Sequence, residues 1–169
     1  KPCIAQRTIN CWASSCAFRI DAIMNHITVK GGRPRQRELI ESIVNYVIKK
    51  LMPRTTTLDI DITIKTLHNA EGYCLSIDKK VHEIEVSHTL PLAQMLKTVA
   101  HEMVHVKQVN KGELGMASRV PTWRGKKVST DKTDYWDLPW EIEAYGREVG
   151  LFHRWAVEND LLKERWITI

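Results

Sequence analysis

The hydrophobic period of this chain changes at Pro53, and that change constrains the fold more than any other feature of the sequence. From Arg35 to Met52 the apolar residues follow helical spacing, and Pro53 ends the predicted helix. From Leu58 to Lys65 apolar and polar residues alternate strictly, which is typical of a strand with one buried face. A chain that changes period in this way must combine helices with a sheet.

The rest of the chain continues the mixed pattern. Short strands are predicted within residues 73–77 and 83–91, and a long amphipathic helix over 92–109. Residues 110–139 are rich in glycine, proline and charge, which predicts a loop, and a last helix is predicted over 140–163. We therefore expect an α+β fold in which a small, mostly antiparallel sheet packs against helices.

Basic residues are concentrated near the start of the chain. Residues 1–57 contain ten lysines and arginines but three acidic residues, and the segment from Lys30 to Arg37 is the most basic part. A length of 169 residues suits one domain. We predict a basic N-terminal extension over residues 1–34 and a single domain over 35–169. The stretch from Lys30 to Arg37 is interpreted either as a solvated linker or as a segment that touches phosphates or an acidic partner surface.

The cysteines and the apolar segments bear on the compartment. Cys3, Cys11, Cys16 and Cys74 have no zinc-knuckle spacing, so free thiols in a reducing cytosol are expected, with a disulfide among the first three as the alternative. The N-terminal residues do not resemble a secretory signal peptide, and no apolar run is long enough to span a membrane. We expect a cytoplasmic protein with no membrane contact.

One motif on the helix predicted over 92–109 carries recognisable chemistry. His101 and His105 are four residues apart, so both imidazoles project from one face and can bind one zinc ion. Glu102 follows the first ligand and is placed to act as general base on a zinc-bound water. Gln108 continues the histidine face. The alternative is a helix whose histidines only face solvent, and another divalent metal could replace zinc.

Zinc in a catalytic site needs a third protein ligand, and the last predicted helix offers two glutamates. Glu141 and Glu143 are two residues apart and therefore point to different sides of the helix. Glu141 shares a face with Ala144, whose small side chain would allow two helices to approach closely. Glu141 is preferred as the ligand, and Glu143 is the alternative. Either carboxylate would also stabilise the N-terminus of the helix without any metal.

Two segments together resemble the gluzincin metallopeptidases in their minimal form, namely Thr98–Gln108 (T-V-A-H-E-M-V-H-V-K-Q) and Leu138–Tyr145 (L-P-W-E-I-E-A-Y). These segments look like those of the small SprT-like and phage-type zincin peptidases, and the resemblance of the chain covers roughly residues 55–155. The resemblance implies a zincin-like metallopeptidase domain, in which the sheet packs on the active-site helix and on a C-terminal ligand-bearing helix.

By the same resemblance, zinc is held by His101, His105 and Glu141, and Glu102 is base and proton shuttle. An edge strand over 83–88 would pair with an extended peptide. Two family features are absent from the sequence: a C-terminal four-cysteine zinc ribbon and the N-E-x-x-S-D signature of longer gluzincins.

A hydrogen-bond donor is also needed for the oxyanion that forms during amide hydrolysis. Tyr145 is predicted to supply it, because it shares a face with Glu141. Tyr135, Arg147 and His153 are the alternatives. The tryptophans are interpreted as core or lid residues, although the segment 123–127 could instead form a basic aromatic platform for nucleic acid.

These features support three functional hypotheses. The preferred one is a zinc metalloprotease that cleaves a peptide or protein substrate. The second is a catalytically silent zincin-fold protein that works as a binding or regulatory module through its basic N-terminal segment. The third is a protease associated with nucleic acid through that same segment, in the cytoplasm of a cell or of a phage-infected host.

Overall fold

A computed structural model describes residues 24–115 and 120–167 of the chain. Its first half contains strand β1 (His26–Lys30), helix α1 (Pro34–Leu51) and strands β2 (Asp59–Lys65), β3 (Gly72–Ser76) and β4 (Val81–Ser87). Its second half contains helix α2 (Leu92–Asn110), the short strands β5 (Leu114–Gly115), β6 (Thr122–Trp123) and β7 (Lys126–Lys127), a 3-10 turn (Tyr135–Asp137) and helix α3 (Pro139–Glu158). The predicted α+β class is confirmed.

The main sheet has the strand order β1-β2-β4-β3, and most of its pairs are parallel. Strand β2 runs parallel to both β1 and β4, and only β3 is antiparallel to its neighbour β4. The prediction of a mostly antiparallel sheet was therefore wrong. The reason is that α1 connects β1 to β2, and a crossover through a helix returns the next strand in the same direction.

The structure also changes the position of two predicted segments. Strand β1 lies within residues 1–34, so part of the predicted extension belongs to the sheet of the domain. The strand predicted over 83–88 corresponds to β4, which lies between β2 and β3 and is not an edge strand. The edge on that side of the sheet is β3. Residues 1–23, with Cys3, Cys11 and Cys16, lie outside the described part, whereas Cys74 is a free thiol as predicted.

Alternation along the strands determines which face of the sheet the helices cover. In β2 and β4 the side chains of Ile60, Ile62, Ile64, Ile84 and Val86 are at most 5% exposed. They form one core with the apolar faces of α1 and α2. The opposite face carries partly or fully exposed polar side chains, such as Asp61 and Glu83. Helix α2 is thus buried by the sheet and α1 on one side, and α3 packs against it from the other.

Residues 110–139 are not only a loop. Strands β5, β6 and β7 form a small antiparallel sheet, and a tight turn at Arg124 and Gly125, both with positive φ, connects β6 to β7. This sheet packs Trp123 against Leu114, Leu138 and Trp140 in a second apolar cluster. Strands of two residues are too short to produce a periodic signal in the sequence.

None of the helices within residues 24–115 and 120–167 combines the length and apolar character that crossing a membrane requires.

Trp155 tests the packing of α3 on the core. Its side chain is fully buried, and its indole N–H donates a hydrogen bond of 3.1 Å to Ser42 Oγ in α1. We expect Trp155→Ala to lower the free energy of unfolding by about 3–5 kcal/mol, because a large cavity forms and Ser42 loses its donor. Urea unfolding followed by circular dichroism measures this. Val157→Ala, at a half-exposed position on the same helix, is the control and should change stability by less than about 0.5 kcal/mol. Equal effects of the two substitutions would contradict this account of the core.

Candidate metal centre

Packing of α2 against α3 brings three buried polar side chains together. His101 and His105 project from α2 and are 4% exposed, and Glu141 in the first turn of α3 is fully buried. The two imidazole Nε2 atoms are 3.2 Å apart. Glu141 Oε2 lies 3.3 Å from His101 Nε2, and Glu141 Oε1 lies 3.6 Å from His105 Nε2. Ala144, one turn further along α3, is fully buried, as expected for a close approach of the two helices.

The hydrogen bonds of the two outer imidazole nitrogens, the Nδ1 atoms, determine where the two inner nitrogens, the Nε2 atoms, point. His101 Nδ1 donates to Glu148 Oε2 at 2.8 Å. His105 Nδ1 donates to Gln108 Oε1 at 2.9 Å, because the amide nitrogen of Gln108 already donates to Trp140 O and to Glu143 Oε2. A neutral imidazole with a proton on Nδ1 presents a lone pair at Nε2. Both Nε2 atoms therefore point towards the same small volume as the Glu141 carboxylate, and each would present a lone pair there once its ring is neutral.

This donor set fits a divalent metal ion. Tetrahedral zinc has ligand distances of about 2.0–2.2 Å, so its ligand atoms are about 3.3–3.6 Å from one another. The separations of 3.2, 3.3 and 3.6 Å between the Nε2 atoms and the carboxylate match that spacing. Two imidazole nitrogens and a carboxylate that converge in a buried volume form a donor set that a divalent cation could bridge. The group formed by His101, His105 and Glu141 could therefore hold a metal ion.

Glu143 does not belong to this cluster and contacts α2 further along the helix, at Lys107 and Gln108. Its carboxylate accepts hydrogen bonds from Lys107, Gln108 and Arg147. Burial alone would raise the pKa of Glu143, but the hydrogen bonds from Lys107 and Gln108 outweigh it, and the pKa is lowered. The structure thus brings Glu141 to the histidines and gives Glu143 a supporting position, in which it fixes the orientation of Gln108.

Glu102 is, after Glu141, the second fully buried carboxylate of the site. It is fully buried, and within the described residues neither carboxylate oxygen has a hydrogen-bond partner. Burial raises the pKa of Glu102 to about 7, although His105 and His101 act in the opposite direction. Gly72 at the start of β3 makes room for it, since a Cβ there would lie 3.0 Å from Glu102 Oε1 and 2.7 Å from Thr98 Cγ2. Local sequence patterns do not reveal this role of Gly72, because the approach is between residues that are distant in the sequence.

A cleft of about 490 Å³ opens beside Glu102. One wall is the turn before β3, a second is α2, and a third consists of the 3-10 turn and α3. Its lining residues are Asn69, Ala70, Glu71, Gln94, Thr98, His101, Glu102, Trp136, Tyr145 and Glu148. His101 and Glu102 thus belong both to the buried site and to a cleft that a substrate could enter.

The aromatic residues near the cleft have different roles. The Tyr135 hydroxyl donates to Glu141 Oε2 at 2.7 Å and lies 3.5 Å from the hydroxyl of Tyr145. Burial raises the pKa of Tyr135 above its usual value. The ring of Tyr145 packs on His101 with centroids 4.5 Å apart, and Trp136 packs on Tyr145 at 4.9 Å.

Other residues singled out in the sequence lie elsewhere. Arg147 is bound to Glu143, and His153 does not line the cleft. Trp140 and Trp155 are core residues as predicted, but Trp136 is 61% exposed at the rim of the cleft. In the hairpin of β6 and β7 the guanidinium of Arg124 lies 5.2 Å from the Trp123 ring centroid, and its role as a nucleic-acid platform stays a prediction.

Comparison with known proteins provides no relative: no family profile, no curated protein and no solved structure matches this chain. The resemblance to gluzincins therefore stays a prediction carried by the two short motifs.

Metal content can distinguish Glu141 from Glu143. We expect Glu141→Gln to weaken metal binding by more than about 100-fold, because a ligand of the cluster is lost, and Glu143→Gln to weaken it by less than about tenfold. The measurement is calorimetric titration of the chelator-treated protein with zinc, together with a melting curve for each variant. The opposite order of the two variants would contradict the arrangement described above.

Proposed function

We propose that this protein is a zinc-dependent metalloprotease of the minimal gluzincin type. The observation that carries the proposal is the placement of Glu102, a fully buried carboxylate without a hydrogen-bond partner in the described residues, between the His101–His105–Glu141 cluster and an open cleft. Such a carboxylate is costly to bury. A cluster with a purely structural metal would have no use for it, whereas hydrolysis requires a base at this position.

The donor types favour zinc among the divalent metals. Two imidazoles and one carboxylate are the ligand set of several catalytic zinc sites, which keep a fourth position for water or substrate. When bound, zinc supplies Lewis acidity, which polarises a carbonyl and makes a coordinated water more acidic. His101 and His105 would hold the ion through Nε2, with Glu148 and Gln108 fixing their orientation.

Glu102 would move the proton in the reaction. A carboxyl whose pKa is about 7 exchanges protons readily near neutral pH. Its carboxylate would take a proton from the water that attacks the peptide carbonyl, and would then deliver that proton to the amine nitrogen as the C–N bond breaks. Burial and the approach of Gly72 keep the carboxylate beside His101 and limit its contact with bulk water.

Two further elements support peptide hydrolysis. Tyr145 lines the cleft beside His101, where its hydroxyl can donate to the developing oxyanion. Strand β3 is an edge strand that begins one residue after Glu71 in the cleft wall. An extended peptide that adds to this edge would pass along the cleft, with its main chain held by the strand.

Glu102→Gln is the decisive test of this function. We expect the variant to bind zinc with the same stoichiometry as the wild type and to lose about 10²–10⁴-fold in the rate of peptide cleavage, because the amide cannot accept the proton. Zinc content is measured by atomic absorption, and cleavage with a library of quenched fluorescent peptides.

Glu83→Gln, an exposed position on the opposite face of the sheet, is the matched control and should retain full activity. Undiminished cleavage by Glu102→Gln would refute the mechanism. A wild-type protein that binds zinc and cleaves no member of the library would favour the silent binding module instead.

A further inference from the structure

The cleft beside the metal centre has an uneven charge distribution. Three of its ten lining residues are the glutamates Glu71, Glu102 and Glu148, and none is a lysine or arginine. Behind them Glu141 adds a fourth carboxylate. Even without Glu102, whose proton the proposed mechanism moves, the carboxylates of Glu71, Glu141 and Glu148 outnumber the two positive charges that a divalent ion on the cluster would contribute. The cleft therefore suits a substrate that brings positive charge of its own.

Glu71 is the carboxylate that best fits a substrate group. Gln94 Nε2 and Thr98 Oγ1 donate to its Oε2 atom at 2.8 and 3.2 Å. Both donors are neutral, so they fix the position of the carboxylate without compensating its charge. No lysine, arginine or histidine of the described residues forms an ion pair with it, in contrast to Glu85, Glu113, Glu143 and Glu158.

Under the proposed function the reacting bond lies beside Glu102, which is fully buried and has no hydrogen-bond partner among residues 24–115 and 120–167. Thr98, which holds Glu71, precedes Glu102 by four residues on α2, and one helical turn rises about 5.4 Å. The extended side chain of lysine or arginine is about as long as that turn. A residue next to the scissile bond could thus place its ammonium or guanidinium group at Glu71.

Trp136 and Tyr145 complete the environment for such a side chain. The two rings pack 4.9 Å apart on the α3 side of the cleft, and Trp136 is 61% exposed. An exposed indole face attracts a cation and also covers the aliphatic part of a long basic side chain. An acidic side chain would gain neither interaction.

We propose that Glu71 is a specificity-determining residue that binds the cationic side chain of a lysine or arginine adjacent to the cleaved bond. This inference deepens the proposed protease function and rests on it, because only a protease cleaves a bond next to the bound side chain. The binding step does not require turnover, so it can be tested separately. A free peptide N-terminus also carries an ammonium group. Peptides with blocked and with free N-termini distinguish it from a basic side chain.

The test uses zinc-loaded full-length Glu102→Gln and N-acetylated, C-amidated alanine-based octapeptides. The central residue is lysine, arginine, norleucine or glutamate, and affinity is measured by fluorescence anisotropy. We expect lysine and arginine peptides to bind at least about fivefold more tightly than the norleucine peptide, and the glutamate peptide to bind most weakly. Because the interaction is electrostatic, the advantage should shrink as the salt concentration rises.

Adding Glu71→Gln to this background should reduce the preference for lysine over norleucine to less than twofold, and Glu71→Arg should favour the glutamate peptide. Glu83→Gln is the control and should leave the preference unchanged. Glu71 is exposed, so melting curves should confirm that its variants are folded. Equal binding of the lysine and norleucine peptides, or a preference that survives Glu71→Gln, would overturn the proposal.

A norleucine peptide with a free N-terminus that binds as tightly as the blocked lysine peptide would overturn the assignment to a side chain. Cleavage by the wild-type protein separates this inference from the proposed function. Cleavage without preference between lysine and norleucine peptides overturns the inference and leaves the protease function intact. Selective binding through Glu71 without any cleavage supports the recognition of a cationic side chain by Glu71 and refutes the protease function.

Discussion

The contact between α2 and α3 is the interaction on which the rest of this structure depends. It buries two histidines and a glutamate together, and burying such groups is unfavourable unless each has a partner. Glu148 and Gln108 supply partners for the outer nitrogens of His101 and His105, and Glu143 fixes the amide of Gln108. The small side chain of Ala144 allows α2 and α3 to approach each other closely. The Nε2 atoms of His101 and His105 and the carboxylate of Glu141 face one another, and a cation between them would bind all three groups.

The two histidines are supported by different groups, and this difference has chemical meaning. His101 donates to the carboxylate of Glu148, whereas His105 donates to the neutral amide of Gln108. A carboxylate partner makes an imidazole a stronger donor to a metal than an amide partner does. Burial lowers the pKa of His101, but Glu141 and Glu148 outweigh it and raise that pKa to about 10, so without a metal ion His101 holds a proton that a bound metal ion would displace. A metal ion held at this site would thus have one strongly polarised ligand and one ligand oriented by a neutral amide.

Much of the fold and the centre of the site could be predicted from local patterns. Helical spacing indicated α1 and α2, alternation indicated β2, and the separation of His101 from His105 placed both on one face. The divergent directions of Glu141 and Glu143 followed from helix geometry alone. Strand direction did not, because β1 pairs with β2 only after the chain has passed through α1. The roles of Gly72 and Glu71 depend on contacts with Thr98 and Glu102, and contacts between distant residues produce no periodic signal.

The location of the three candidate metal ligands on two separate helices also affects how such sites can vary. The segment between α2 and α3 contains the small sheet of β5, β6 and β7 and the 3-10 turn, and none of its described residues belongs to the His101–His105–Glu141 cluster. Surface connections generally tolerate insertions and deletions. Its length could therefore change over evolutionary time without moving the ligands, provided that Tyr135 and the helix contact are retained. Related sites would then share a packing arrangement and not a fixed sequence interval, so they would be easier to find by comparing helix geometry than by searching for a spaced motif.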